Sequence, residues 1–240
     1  MDTDRLFTKE KISGDFRFTE EVAEVFDDML TRSIPNYQQV MEMSAQLLDR
    51  LLKPGDTLYD FGCSTGNTLL HLARRLGVAD LHLVGVDNSP AMVEKARRKA
   101  AGYAPGVGIE FVEADISNYR CDRAGAILLN YTMQFLRPMR RGEFARGIHR
   151  SLRPGGVLLL SEKIISHDPE LNRLYIDLYL DFKRAKGYSE IEISKKREAL
   201  ENVLIPFSLE ENRKLLEDAG FKRVESFFQW FNFASIVAIK

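Results

Sequence analysis

The chain has 240 residues, 45% of them hydrophobic and 29% charged, with a formal net charge of −1 at pH 7. That size and balance fit an ordinary soluble globular protein with a sizeable core, and the dispersed Lys and Arg exclude a dedicated nucleic-acid binder with a net basic surface. Two cysteines, Cys63 and Cys121, make no disulfide framework and fit a reducing cytoplasm; no apolar run approaches membrane-spanning length, and "MDTDRLFTKE" is too polar for a signal peptide.

The first elements are helical. In "FTEEVAEVFDDMLTRSIPNY", Thr19 can cap a helix that opens with Glu20 and Glu21. Val22, Val25, Phe26 and Met29 form its apolar stripe, and Pro35 predicts an end at Ile34. A second helix, "YQQVMEMSAQLLDRLL", stops before Lys53-Pro54-Gly55. Residues 1–53 therefore read as an N-terminal helical cap on an α/β core at 54–240, the whole forming one domain.

From there strands and helices alternate. "TLYDFG", "LHLVGVD", "IEFVEAD", "AGAILLNYT" and "GGVLLLSEK" read as strands. "NTLLHLARRLG" and "RRGEFARGIHRSL" read as helices, and between them Ser89 caps a helix with Pro90 at its first position. The rhythm predicts a mostly parallel sheet with helices on both faces. The run "RPMRRGEF" reads either as a solvated helix face or as a small basic patch. A helical insertion spans about 170–205, and a Ser208-x-x-Glu211 capping box opens the next helix, which ends at Gly220. "FKRVESFFQW" and "FNFASIVAIK" follow with so short a break that they must pair antiparallel. The dense rings of "FFQWFNF" suit either sheet core or a subunit interface.

The chemistry concentrates where strands end. In "YDFGCSTGNTLL", Gly62 and Gly66 sit where a strand becomes a helix, so a ligand can approach backbone N–H groups there. The spacing matches neither the dinucleotide fingerprint nor a P-loop. The next strand ends in Asp87-Asn88, whose carboxylate could take a ribose diol; the following ones end in Asp115-Ile116 and Asn130. Each polar residue alone could be a turn or cap. Together they converge on one crevice. His71, His82, His149 and His167 show no metal-ligand spacing, so no metal is expected.

"YDFGCSTG", "VGVDNS", "VEADI", "LRPGGVLLLSE" and the final strand pair resemble the class I S-adenosylmethionine-dependent methyltransferases, with their Rossmann-like fold. Ser64 stands where that family's loop usually has its middle glycine. "DNSPAM", "LNYTMQFL", "LSEK", "DFKRAKGYSEIEISKKREALENVL" and "FQWFNFAS" extend the likeness, over nearly the whole chain, to the carboxy-S-adenosyl-L-methionine synthases. That resemblance implies a reaction of S-adenosyl-L-methionine with prephenate, giving carboxy-S-adenosyl-L-methionine and phenylpyruvate. It leaves open whether the product is retained on purification, and implies that the protein is a homodimer and that a partner tRNA carboxymethyltransferase uses the product on wobble uridine. It implies ligand contacts from Tyr37, Gly62, Cys63, Ser64, Asp87, Asn88, Asp115, Ile116 and Asn130, and assigns Arg197 to the new carboxylate.

In "SEIEISKKREALENVL", Ile193, Leu200, Val203 and Leu204 make an apolar stripe, and Arg197 is expected to point with it. An inward Arg must meet an anion; the alternative is an intrahelical pair with Glu201. Tyr37, after Pro35-Asn36, is otherwise a surface turn residue, and Cys63 a small residue permitting close backbone approach. Two other readings of the whole remain: an ordinary small-molecule methyltransferase, or a catalytically silent S-adenosylmethionine-binding protein.

Overall fold

The computed structural model describes residues 4, 6–8, 16–103 and 108–240, and most of the polar first ten residues lie outside that set. Helix α1 is Glu20–Ser33; the Thr19 hydroxyl accepts from the Val22 N–H, satisfying one of the orphan donors of its first turn. Helix α2 is Tyr37–Leu51, entered through Asn36 in the left-handed region at φ 54°. The alternating segment gives β1 (Thr57–Phe61), α3 (Asn67–Arg75), β2 (His82–Asp87), α4 (Pro90–Tyr103), β3 (Ile109–Glu113), β4 (Ala124–Asn130), α5 (Pro138–Ser151) and β5 (Leu152–Ile165). The expected insertion is two helices, α6 (Pro169–Ala185) and α7 (Glu190–Leu200), broken at Gly187, whose φ is 86°. A two-residue strand β6 (Phe207–Ser208), helix α8 (Leu209–Asp218) and the strands β7 (Arg223–Trp230) and β8 (Phe233–Ile239) complete the chain.

The strands form one sheet in the order β3-β2-β1-β4-β5-β8-β7, with β6 against the end of β5. Pairing is parallel from β3 through β5 and antiparallel at β5–β8 and β7–β8. The final hairpin thus has the predicted direction and sits beside β5. Side chains alternate across the sheet, so β4 feeds Ile127 and Leu129 into one apolar layer and Ala126 and Leu128 into the other. The first layer packs under α5 and α8 through Ile148 and Leu216, the second under α2 and α3 through Leu48, Leu69 and Leu72. A third cluster joins Phe26 and Met29 of α1 to Met92 of α4 and Ala199 of α7. It ties the helical cap to the core next to the C-terminal strand ends.

The run 137–144 is not simply a solvated face. Arg141 is buried and donates to the carbonyls of Leu136 (3.0 Å), Gln134 (3.1 Å) and Ile205 (2.6 Å), with its guanidinium over the Phe207 ring. Its charge is spent fastening the segment after α7 to the turn after β4.

At the opposite end of the sheet, Asp56 accepts from the Lys53 N–H (2.7 Å) and from Arg153 Nε (2.8 Å) and Nη2 (2.6 Å). This pair registers the start of β1 against β5. Gly125 passes so close that a Cβ there would lie 2.4 Å from the Asp56 Cγ. Gly125→Ala is therefore expected to cost about 1–3 kcal/mol, as overpacking does. Gly102→Ala, in α4 with nothing within 4 Å of the new Cβ, should leave stability unchanged or raise it slightly. Thermal melts of the two proteins check the contrast.

Candidate active site

The C-terminal ends of β1, β2 and β4 open on a cavity of about 960 Å³ roofed by α1, α6 and α7. Its floor is the loop between β1 and α3. Gly62 (φ 76°) and Cys63 both donate to the Val86 carbonyl, at 2.8 and 3.2 Å, and Gly66 (φ 77°) donates to the Cys63 carbonyl at 2.9 Å. A Cβ on Gly62 would stand 2.5 Å from Thr132 Oγ1, so this position has neither the space nor the backbone for a side chain.

Ser64 also holds a left-handed backbone, at φ 48°. That is the conformation a glycine adopts freely, and here it is held by its N–H donating to Asp87 Oδ2 at 2.9 Å. The other Asp87 oxygen accepts from the Ser89 N–H at 2.9 Å. Burial raises the Asp87 carboxyl above the ordinary carboxylate range against the pull of these N–H donors. Cys63 is buried, and desolvation drives its thiol far up, so it is no nucleophile.

Gly66 does not line this cavity, but the residues expected to touch the ligand do: Tyr37 at the start of α2, Gly62, Cys63 and Ser64 in the loop, Asp87 and Asn88 after β2. Asp115 and Ile116 after β3, Asn130 at the end of β4 and Arg197 on α7 complete the set. Asp115 Oδ1 accepts from the Ser117 N–H at 2.8 Å, which turns the chain and leaves the other oxygen open. Asn130 donates to Thr68 Oγ1 at 3.4 Å, while its own Oδ1 is buried without a partner.

Arg197 differs from expectation. The buried positions of α7 are Glu192, Ile193, Lys196 and Ala199, and Arg197 is exposed beside them. Its side chain borders the cavity rather than entering the apolar stripe. The Glu201 pair is not formed; among the described residues no carboxylate partners Arg197. The helix turns by 100° per residue, so Lys196 takes the inward place and pairs with Asp4 at 3.6 Å.

Several site residues escaped the sequence. Asp60 is 2% exposed, with Oδ1 unpartnered, and burial followed by the nearby Asp87 charge pushes its carboxyl up to about 7. Its place two residues before Gly62 was visible, but not its isolation. Tyr131 sits at φ 58° with its N–H donating to the Ser161 carbonyl at 2.6 Å, and its ring lies 6.4 Å from that of Tyr37. No local signal marks a tyrosine for that conformation. Lys163 and Lys183 also line the cavity. Lysines on β5 and α6 look like surface residues until the two elements are brought together.

Residues 58–156 match the family described as a methyltransferase domain. A carboxy-S-adenosyl-L-methionine synthase of Desulfotalea psychrophila is 56% identical over 99% of this chain and 97% of its own. Another, from Wolinella succinogenes, is 48% identical over 99% and 98%. The chain belongs to the carboxy-S-adenosyl-L-methionine synthase family. Among solved structures, magnesium protoporphyrin IX methyltransferase of Synechocystis superposes with a TM-score of 0.62 over 95% of this chain and 90% of its own, at 17% identity. Human N-acetylserotonin methyltransferase gives 0.62 over 92% and 55%, at 15% identity. These likenesses show the class I methyltransferase fold: a mostly parallel sheet with an antiparallel C-terminal pair. The family's members are transferases, and this protein is an enzyme of that kind.

Asp60 yields a prediction with a definite sign. A carboxyl whose pKa rises from 3.8 to about 7 on folding holds its proton in the folded state while the unfolded chain has lost it. Its stabilising share is complete below the unfolded value and is lost as pH climbs through the folded one. Between those limits the ligand-free wild type should lose stability with rising pH more steeply than Asp60→Asn. Urea melts across that range measure the difference in slope; parallel curves would remove the buried-acid assignment.

Proposed function

We propose that the cavity binds S-adenosyl-L-methionine at its acidic end and converts it, with prephenate, into carboxy-S-adenosyl-L-methionine and phenylpyruvate. One observation supports this over simple methyl transfer: among the described residues Arg197 has no carboxylate partner, and it borders the same cavity that Asp60, Asp87 and Asp115 line. A methyl group needs no cation. A carboxylate on the transferred carbon does, and a guanidinium can grip it at two points.

In this reading Asp87 accepts from the ribose hydroxyls with the lone pairs its two N–H donors leave free. Asp115 accepts from the adenine amine, with the Ile116 N–H at the ring edge and Asn88 alongside. Gly62, Cys63 and Ser64 present backbone to the methionine portion, and Tyr37 and Asn130 close over it. Asp60 lies where a buried carboxylate lowers the energy of the sulfonium–ammonium ligand.

The reaction balances without a protein nucleophile. Prephenate loses CO2 and its ring hydroxide as the ring aromatises. The sulfonium methyl loses one C–H proton to that hydroxide, giving water, and its carbon bonds to the CO2. The chain supplies orientation, charge complementarity and exclusion of water. We further read the product as the carboxymethyl donor for a tRNA wobble-uridine carboxymethyltransferase, the compartment as the cytoplasm, and the protein as a homodimer. For the last, the exposed Leu171, Leu174 and Phe231 offer an apolar contact surface.

The direct test is the mass of the nucleoside released on denaturing the purified protein. A ligand heavier than S-adenosyl-L-methionine by one CO2 is expected. Arg197→Ala should weaken carboxy-S-adenosyl-L-methionine by a factor on the order of tens and leave S-adenosyl-L-methionine nearly unchanged, as loss of one charged contact would. Arg197→Lys should recover only part. Calorimetry with both ligands decides, and equal losses would favour an ordinary methyltransferase.

Asp87→Ala should cut the affinity for both nucleosides several-fold or more, since hydrogen bonds to a charged group contribute about 1.5–3 kcal/mol each. Unchanged binding by a folded variant would remove its ribose role.

A further inference from the structure

The cavity carries charge unevenly. Asp60, Asp87 and Asp115 line it from the strand ends of β1 to β3, while Lys163, Lys183, Lys196 and Arg197 line it from β5, α6 and α7, where Glu201 also borders it. Lys196 is accounted for: it donates to Ser33 Oγ at 2.9 Å and pairs with Asp4, which also accepts from the Tyr188 hydroxyl at 2.5 Å. Lys163 and Lys183 are not. Among the described residues neither ammonium has a carboxylate within ion-pair distance or an oxygen to donate to.

Their placement is specific. Lys183 is only 5% exposed. Lys163 Nζ lies 5.0 Å and Lys183 Nζ 5.2 Å from the centroid of the same Tyr179 ring. That ring is fixed by its hydroxyl donating to the Ser33 carbonyl at 2.9 Å, and by Phe233, whose centroid is 5.1 Å away. Two ammonium groups thus share one aromatic platform inside a cavity. Burial and the neighbouring Arg197 charge hold Lys163 down to about 8; burial, then Lys196 and Lys163, hold Lys183 down to about 7, with Asp4 pulling the other way. An arrangement so unfavourable in the empty protein calls for an anion.

The nucleoside does not meet that need well. Its sulfonium and ammonium groups suit the acidic end, Arg197 suffices for one new carboxylate, and its methionine carboxylate is the one other anion it could offer the two lysines. We propose that Lys163 and Lys183, over the Tyr179 ring, form the receiving site for the co-substrate, a ring-bearing molecule carrying more than one carboxylate. The ammonium pair binds a carboxylate and the aromatic face of Tyr179, with Ile176 and Phe233, takes the carbon ring. The carboxylate that departs as CO2 lies toward Lys163 and Arg197, nearest the sulfonium carbon. This proposal rests on the synthase reading above, with prephenate as that co-substrate.

The experiment uses the full-length protein and prephenate. Calorimetric binding is measured on protein loaded with S-adenosylhomocysteine, which has no methyl group to react, and turnover is measured with S-adenosyl-L-methionine. Lys163→Met and Lys183→Met should each weaken prephenate binding tenfold or more and raise its KM accordingly. S-adenosyl-L-methionine affinity should stay within about threefold, and Lys183→Arg should recover part of the loss. Removing an unpaired buried charge should leave the melting temperature of the empty protein unchanged or higher. Should one Met variant fail to fold, the other lysine and the Arg variant carry the same comparison.

Unchanged prephenate affinity in folded variants overturns the proposal. So does a loss confined to S-adenosyl-L-methionine, which would give the lysines to its methionine carboxylate. Wild-type protein that makes no carboxy-S-adenosyl-L-methionine would sink the synthase reading instead, and the binding measurements would still decide the lysine site.

Discussion

The architecture of the site hangs on Asp27. This residue of α1 accepts from Thr65 Oγ1 (2.5 Å), from Asn67 Nδ2 (2.8 Å) and from Lys99 Nζ (2.7 Å). Lys99 in turn donates to Asn67 Oδ1. One carboxylate thereby fastens the N-terminal cap to the glycine loop, to the first turn of α3 and to α4. Neither partner charge is more than lightly exposed, at 17% for Lys99 and 13% for Asp27, so the pair is shielded from salt better than a surface bridge. Without it α1 would rest on α4 and the core through its apolar cluster and through Lys95 and Arg98, and the glycine loop would lose its tie to the cap.

Fastening the cap has an electrostatic consequence. It brings α1 and its neighbours α6 and α7 over the strand ends, which buries the groups beneath. Burial there pushes the Asp60 carboxyl up to about 7 and holds Lys163 and Lys183 down to about 8 and about 7. Acids and lysines in one enclosure are thereby both held near the edge of ionisation. A cationic nucleoside and an anionic partner can then be drawn to adjoining places by the same enclosure, and each ligand relieves part of the strain that the other end does not touch.

What could be read in advance was what is written locally. The Thr19, Ser89 and Ser208 caps, the glycine loop and the final hairpin depend on residues a few positions apart, and each stands where its spacing places it. The acidic strand ends were legible because parallel topology sends them to one crevice. Arg141, Lys183 and Asp60 were not, since their burial depends on partners 64 residues away, as for Arg141 and Ile205, or on the roof closing overhead. Arg197 was half legible: its helix and its cavity were right, but a one-residue phase error along α7 gave it the inward place that Lys196 holds. The capping box at Ser189–Glu192 sets the start of that helix and buries Glu192 beside Ile193.

Ser64 and Tyr131 both line the crevice, one after β1 and one after β4, and both keep a backbone that side-chain-bearing residues avoid. Each such residue costs on the order of 1–3 kcal/mol, stored while the protein is still empty. Each is locked by a hydrogen bond to a neighbouring strand, Ser64 to Asp87 and Tyr131 to Ser161. The rim that meets the nucleoside is consequently set during folding rather than during binding. Little ordering entropy is left to be lost when a ligand arrives, so occupancy should be fast to establish and the bound pose narrow. In the proposed reaction, where a released CO2 must meet one carbon before it diffuses away, that rigidity is the property the chemistry demands of its container.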